Sequence, residues 1–350
     1  MDTSFICSNH LFASIITKVL DPSSGPFHTA FLTCHTIAIL TFIISTATGN
    51  LSQVDKLWSI LPTMYAWMCV VDTRTMLMAC LSTCWSVRLT YNFSRRGGYS
   101  FPPWRGEEDY RWEVIRRGSL GGYWKLLTRK WIMVLFNIVF ISWYQNVLLM
   151  YIATPSFVAW SVAMKAVHCQ SGKDDAHTVP LNTIDILAVI LFTTALFVEA
   201  AADKQQYNFQ EKKKQWKFSM EKSSGGGGFA SAILQLSSAN TSVKEYKDGF
   251  CQSGLFAVVR KPAYAAEQAI WVSYYLFSIA AMSEQHDSQY YWNWSGGGCI
   301  LLILLFRGSG WLTERISSQK YPAYRLYQTK VPLYVPRVSS LWHKANGKLE

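Results

Sequence analysis

The stretch Arg260-Lys261-Pro262-Ala263-Tyr264-Ala265-Ala266-Glu267-Gln268 closes a polar, glycine-punctuated segment and opens an apolar span over 263–282. Proline in the first helical turn costs no hydrogen bond, because that amide is unpaired in any case. The helix it starts sets Tyr264, Glu267 and Gln268 three and four residues apart, on one face. Arg260 and Lys261 stand just ahead of it, where a helix N-terminus already attracts anions. A membrane helix thus begins at an edge that offers cations and hydrogen-bond donors to a negatively charged group. The same basic pair also suits an ordinary positive-inside anchor.

Working outward, the 350 residues are 50% hydrophobic, with 15 Trp, 18 Tyr and 19 Phe, and only 16% are charged. A soluble chain carries about a quarter charged residues. Long apolar runs that alternate with short basic ones are the pattern of a polytopic helical membrane protein. The net charge of +11 lies beside the spans rather than along one polar face, so nucleic acid is not expected as a partner. The eight cysteines are scattered through or beside apolar runs. Cys80 and Cys84 share a helix face, but no CxxC pair or neighbouring histidine completes a metal site, and no metal is expected. The N-terminus lacks the basic region and cleavage site of a signal peptide, so the first span is expected to do the targeting.

The fold expected is all-α, a polytopic bundle of about seven transmembrane helices with a cytosolic C-terminal tail. After an N-terminal segment at 1–26, the membrane domain covers 27–336, and a tail follows at 337–350. Its spans are expected at 27–48, 56–71, 74–93, 131–152, 184–202, 263–282 and 298–311, with a turn at 72–73 joining the second to the third. A piece at 155–167 reads as a bent continuation or a re-entrant segment. Residues 203–222 continue the fifth helix into water, 223–228 form a linker, and 229–248 are only weakly patterned. The basic regions at 94–130, 203–262 and beyond 313 all fall on one side, which the positive-inside rule makes cytoplasmic.

Several residues carry chemistry. Asp55 stands at the edge of the second span, either paired with Lys56 or a proton donor whose pKa desolvation raises. Arg88 lies deep in the third span, and such charges face a polar cavity. Trp85, Arg88, Tyr91 and Asn92 fall at a spacing that makes one face, with Arg95 a turn further on. The cluster Gly106-Glu107-Glu108-Asp109-Tyr110-Arg111-Trp112 reads as a structural holder of nearby arginines. Glu199, Asp203 and Gln206 share a face where the fifth span leaves the membrane, suited to ribose hydroxyls or a carboxamide and equally to capping the basic linker. In the tail, Glu314 precedes Lys320, and Tyr321, Tyr324 and Tyr327 recur every third residue. Such rings and cations suit stacking on an adenine and pairing with phosphates, or else an interfacial aromatic belt.

These pieces in this order resemble the DUF1295 family. They comprise Val54-Asp55 with Trp58-Ser59, the run from Trp85 to Asn92, the cluster from Gly106 to Trp112, Asp203-Lys204-Gln205-Gln206 with Phe209, Gly249-Phe250 with Gly254-Leu255-Phe256, and Lys320-Tyr321-Pro322 with Tyr324, Tyr327 and Gln328. The resemblance covers about 54–336 and places the chain in the steroid 5-alpha-reductase and sterol-reductase superfamily, which also holds isoprenylcysteine carboxyl methyltransferases. The superfamily motif Arg-His-Pro-Asn-Tyr, followed by an acid, is matched here at Arg260, Pro262, Tyr264 and Glu267. It departs at Lys261 and Ala263.

The resemblance implies an oxidoreductase of the endoplasmic reticulum membrane. It would take NADPH from the cytosol and a steroid-like or other lipid from the bilayer, and reduce a carbon–carbon double bond. Cofactor binding is then expected at Arg88, Arg95, Asp203, Gln206, Arg260, Tyr264, Glu267, Glu314, Lys320, Tyr321, Tyr324 and Tyr327, with Asp55 and Tyr91 catalytic. Two alternatives stand beside it: a methyltransferase using S-adenosylmethionine, and a non-catalytic lipid-binding protein.

Overall fold

A computed structural model describes residues 25–169, 180–223, 241–284 and 292–336, and no strand occurs among them. The chain divides into two compact units, Met1–Phe192 with Trp271–Leu302, and Thr193–Ile270 with Ile303–Glu350. The N-terminal segment 1–26 (save its last two residues), the linker 223–228 (save its first residue) and the tail 337–350 lie outside the described residues.

In the first unit, α1 (Pro26–Thr48) starts at a proline and stops at Gly49, whose φ of 71° is left-handed. It buries Ala30, Cys34, Ala38, Thr41 and Ser45 along one stripe. Ile39, Leu40 and Ile43 stay exposed, as a lipid-facing side requires. Small buried residues let helices approach closely. The partner is α5 (Lys130–Ile152), wound as a π-helix over Asn137–Tyr144. Asn137 Nδ2 donates to Ser45 Oγ at 2.8 Å, and Asn146 Nδ2 to Thr41 Oγ1 at 3.2 Å.

The expected arm at 56–71 is shorter than predicted. Turns occupy 54–60, and α2 (Leu61–Met68) has eight residues, about 12 Å of helix against the roughly 30 Å a span needs. Pro62, which has no amide to extend the ladder backwards, and Lys56, drawn to the loop carbonyls of Pro103 and Arg105, are the physical reason. α2 packs on α3 (Thr73–Arg95), with Thr63 Oγ1 donating to Ser82 O at 2.9 Å. α3 begins at a capping box between Asp72 and Thr75, where the turn was expected.

A short α4 (Tyr110–Arg116) lies in the basic loop. α6 (Thr154–Cys169) follows α5 directly as a second helix, largely buried, so the piece at 155–167 is helical. At the start of α3, Arg74 meets Asp185 at 2.8 Å and Glu284 at 2.7 Å. Arg74 and Asp185 are almost fully buried, and Asn182 Nδ2 joins them through Glu284 at 3.0 Å.

α7 (Thr183–Ser223) is continuous over 41 residues, about 60 Å, twice what a bilayer core requires. Its second half carries Lys204, Lys212, Lys213, Lys214 and Lys217, so the basic continuation predicted past 202 is helical. The second unit holds this half with α8 (Thr241–Asp248), the opening turns of α9 (Pro262–Ser283), α10 (Gly296–Lys320) from Ile303 on, and α11 (Tyr324–Lys330). α8 forms where patterning was weak.

Among the described residues, four helices, α1, α5, α7 and α10, are long and apolar enough to cross a membrane. α3 and α9 have 23 and 22 residues but more polar character. The chain is a helical membrane protein by this measure, and four spans of the expected set of seven meet both criteria.

Candidate functional site

The second unit is organised by the 249–264 segment and the stretch 313–336, the described part of the C-terminal tail. Arg260 N donates to Pro332 O at 2.9 Å and Lys261 N to Leu333 O at 3.1 Å, so the tail folds back along the motif. The Arg260 side chain then closes the join. Its Nε donates to Glu314 Oε2 at 2.8 Å, and its Nη1 to the carbonyls of Gln328 at 2.9 Å and of Val331. Glu314 also accepts from Tyr324 Oη at 2.5 Å and from Gln328 Nε2 at 2.9 Å. Arg260 and Glu314 are 12% and 9% exposed, so this ion pair is screened little by water. Burial, then the bond and charge of Glu314, push the Tyr324 hydroxyl well above its usual range, and it stays a donor.

The three tyrosines of the tail divide. Tyr324 and Tyr327 are buried against Phe250, with ring centroids 4.8 Å and 5.2 Å from it. Tyr327 Oη donates to Phe256 O. Tyr321 is half-buried, and its ring lies 2.4 Å from where a Cβ on Gly249 would stand, at a φ of +88°. Lys213 Nζ donates to Gly249 O at 2.7 Å, and Lys213 and Lys320 each sit 5.5 Å from the Tyr321 centroid. Every third residue on α11 therefore makes a packed face rather than a row of open plates.

Tyr264 packs its ring edge-on to Phe306 at 4.7 Å, with its hydroxyl 3.4 Å from Ser309 Oγ and Lys261 Nζ 5.9 Å from its ring. Tyr334 Oη donates to Phe306 O at 2.7 Å, and burial pushes that hydroxyl up to about 12. Glu267 is buried one turn on from Tyr264. Asp203 and Gln206 are half-buried on α7. Between them in sequence, Gln205 grips the chain ahead of the motif, donating to Ser253 O at 2.6 Å and accepting from Leu255 N at 3.2 Å.

The structure brings together Arg260, Glu314, Tyr324 and Tyr327, with Tyr264, Lys320 and Tyr321 in the same unit. Asp55, Arg88, Tyr91 and Arg95 lie in the other unit. Asp55 receives Trp112 Nε1 at 3.4 Å; burial pushes its carboxyl up, and the Arg111 guanidinium opposes the shift. Lys56 turns instead to the loop, donating to Gln53 Oε1 and to the carbonyls of Pro103 and Arg105 at 2.7 to 3.1 Å. On α3, Trp85 is fully buried against Trp271 at 4.9 Å and Asn92 is buried too, accepting from Arg95 at 3.0 Å. Arg88 is half-buried, whereas Tyr91 is 62% exposed with the Arg95 guanidinium 4.8 Å above its ring. The single polar face read from spacing thus splits, and Tyr91 turns outward.

The acidic-aromatic cluster does hold arginines. Asp109 caps α4 and pairs with Arg111 at 2.7 Å, and Glu108 accepts from Leu51 N at 2.8 Å and from Arg116. Reading by sequence passed over the buried Arg74–Asp185–Glu284 group and the Gln205 clamp. Charges at helix ends were the available signal for the first; the second depends on a loop 48 residues away.

A model of the DUF1295 family, described as a protein family of unknown function, matches residues 41–331. The uncharacterized protein C594.04c of Schizosaccharomyces pombe is 33% identical over 324 residues, covering 90% of this chain and 81% of that protein. No solved structure matches.

Proposed function

The chain belongs to the DUF1295 family, and from that premise we propose that it is a membrane-embedded, NADPH-dependent reductase of a carbon–carbon double bond in a steroid-like or other lipid. In this reading about seven segments sit in the endoplasmic reticulum membrane, with the basic regions in the cytosol. The lipid enters from the bilayer and NADPH from the cytosol.

The observation that carries the reading is the Arg260–Glu314 clamp, which joins the motif and the tail into one basic, aromatic piece. Arg260, Glu314, Tyr324 and Tyr327 spend their polar groups on one another and on backbone, so their role is positioning. Lys261, Tyr264, Lys320 and Tyr321, which stand in the same unit, hold the cofactor in this reading, with Asp203, Gln206 and Glu267 supplying oxygen and amide partners. Cations beside half-buried aromatic rings fit a polyphosphorylated dinucleotide. Arg95 adds positive charge at the cytosolic end of α3, and Arg88 two turns deeper.

NADPH, once held there, would supply hydride for the carbon beta to a carbonyl. Asp55, whose burial favours the protonated acid, donates to the carbonyl oxygen and stabilises the charge that develops there. Tyr91 is the second proposed donor. Lys261 keeps the positive charge of the superfamily histidine, while Ala263 lacks the carboxamide of its asparagine.

The test is thermal stabilisation of detergent-purified protein by NADPH, NADH and S-adenosylmethionine. Selective stabilisation by NADPH, weakened in Lys261→Gln and Tyr264→Phe, is expected. Arg260→Ala is unsuitable as the probe, because it opens the clamp itself. Stabilisation by S-adenosylmethionine alone would replace the reductase with a methyltransferase. No response in folded protein would favour the non-catalytic lipid binder.

A further inference from the structure

A cleft of about 400 Å³ opens in the second unit between the cytosolic half of α7 and α8. It lies away from the Arg260 clamp in its chemistry but shares a segment with it. Phe250 sends its ring to the tail tyrosines, while the next residue, Cys251, lines the cleft. Gln205 fixes that segment to α7 through Ser253 and Leu255.

On α7 the wall is Lys204, Asn208 and Lys212, spaced by four residues and hence in one row about 12 Å long. All three are exposed, and among the described residues neither lysine is held in an ion pair. Lys214, by contrast, is paired with Glu211 at 3.0 Å. Across the cleft stands Tyr246, whose ring is held by Phe209 at 5.7 Å and Trp216 at 6.3 Å.

The floor is Glu245, 6% exposed, with Ser253 Oγ donating to it at 3.3 Å. Burial pushes its carboxyl up, against the lowering effect of the Ser253 bond, and its oxygens face the cleft as hydrogen-bond acceptors for hydroxyls. Burial also pushes the Cys251 thiol up to about 11, which leaves it a neutral packing group rather than a nucleophile.

A fixed aromatic wall, a buried carboxyl beside a hydroxyl, and two cations two turns apart describe a receptor for a ring, a sugar and phosphates. We propose that this cleft takes the 2′-phosphorylated adenosine end of NADPH. Tyr246 meets the base, Glu245 and Ser253 meet the ribose, and Lys204 and Lys212 meet the phosphates. Lys204 and Lys212 are then the residues that select NADPH over NADH. This inference rests on the reductase reading and adds to it a place and a source of selectivity.

The test measures dissociation constants of NADPH, NADH and 2′,5′-ADP on the full chain in detergent. The variants are Lys204→Gln/Lys212→Gln and, as a control outside the cleft, Lys214→Gln. Loss of charge-assisted bonds to a phosphate predicts that the double variant binds NADPH and 2′,5′-ADP about 10-fold or more weakly. NADH binding should change less, and Lys214→Gln should match the native chain. Unchanged apo melting of the double variant, expected for exposed residues, keeps the comparison valid. If NADPH binds the native chain and the double variant equally, the cleft is not its adenosine site and the reductase reading stands. If the folded native chain binds neither dinucleotide, both fall together.

Discussion

Arg260 holds Glu314 at 2.8 Å across 54 residues of sequence, with both side chains nearly buried. The pair is also hydrogen-bonded to Tyr324, Gln328 and the carbonyl of Val331. Removing Arg260 would leave Glu314 charged and unpaired in a poorly solvated site. Arg260→Ala is expected to cost about 3–5 kcal/mol, seen as a lowered melting temperature and faster proteolysis within 320–334. Arg260→Lys should recover little, because one ammonium does not reproduce the guanidinium fork. A melting temperature within a degree of the native chain would refute the clamp.

Gly249 sits at φ +88°, with the Tyr321 ring 2.4 Å from the position of a Cβ. Gly249→Ala adds a strained backbone and a clash at once, so a loss of about 2–4 kcal/mol is expected. Tyr321→Ala in the same chain should restore only the part due to the clash. A double-mutant cycle in thermal denaturation separates the two.

Asp55 has a pKa raised above that of the unfolded chain, chiefly by burial. The native state therefore binds the proton more tightly. This favours folding below the ordinary carboxyl pKa, and the advantage is lost as pH rises through the native value. Asp55→Asn retains an acceptor for Trp112 and has no charge to bury. It should melt above the native chain at pH 7.5, with the difference shrinking towards pH 4. An equal difference at both pH values would show that ionisation is not the cause.

Arg74 and Asp185 form a buried pair that Glu284 completes. Asp185→Ala alone should destabilise by about 3–5 kcal/mol, because it strands part of a buried charge. Arg74→Met with Asp185→Leu should regain part of that loss, since the two most buried charges are then gone and only Glu284, 23% exposed, loses its cation. The comparison is made by chemical denaturation in detergent, and additivity of the two single changes would exclude coupling.

Much of the helical layout is legible in the residues themselves. Apolar length and the flanking prolines and glycines mark α1, α5, α9 and α10 to within a few residues, apart from the extension of α10 beyond 311. The charge run after residue 202 announces the long α7. Asp72 and Thr75 mark the start of α3 through local capping chemistry. These features depend on neighbours within one or two turns, which a linear reading contains.

The site is different. Spacing alone gathers Tyr321, Tyr324 and Tyr327, and also Trp85, Arg88, Tyr91 and Asn92, but it does not say which way a face turns. Phe250 draws Tyr324 and Tyr327 inward, and the packing of Trp85 on Trp271 leaves Tyr91 outside. Whether Arg260 meets a ligand or Glu314, and whether Lys56 meets Asp55 or a loop carbonyl, depends on groups some 50 residues away. The helices and their basic ends follow from residue order, because they rest on local hydrophobic and capping energies. The pairing of the polar groups follows from the folded chain, because competition among distant partners for a buried charge is settled when the segments meet.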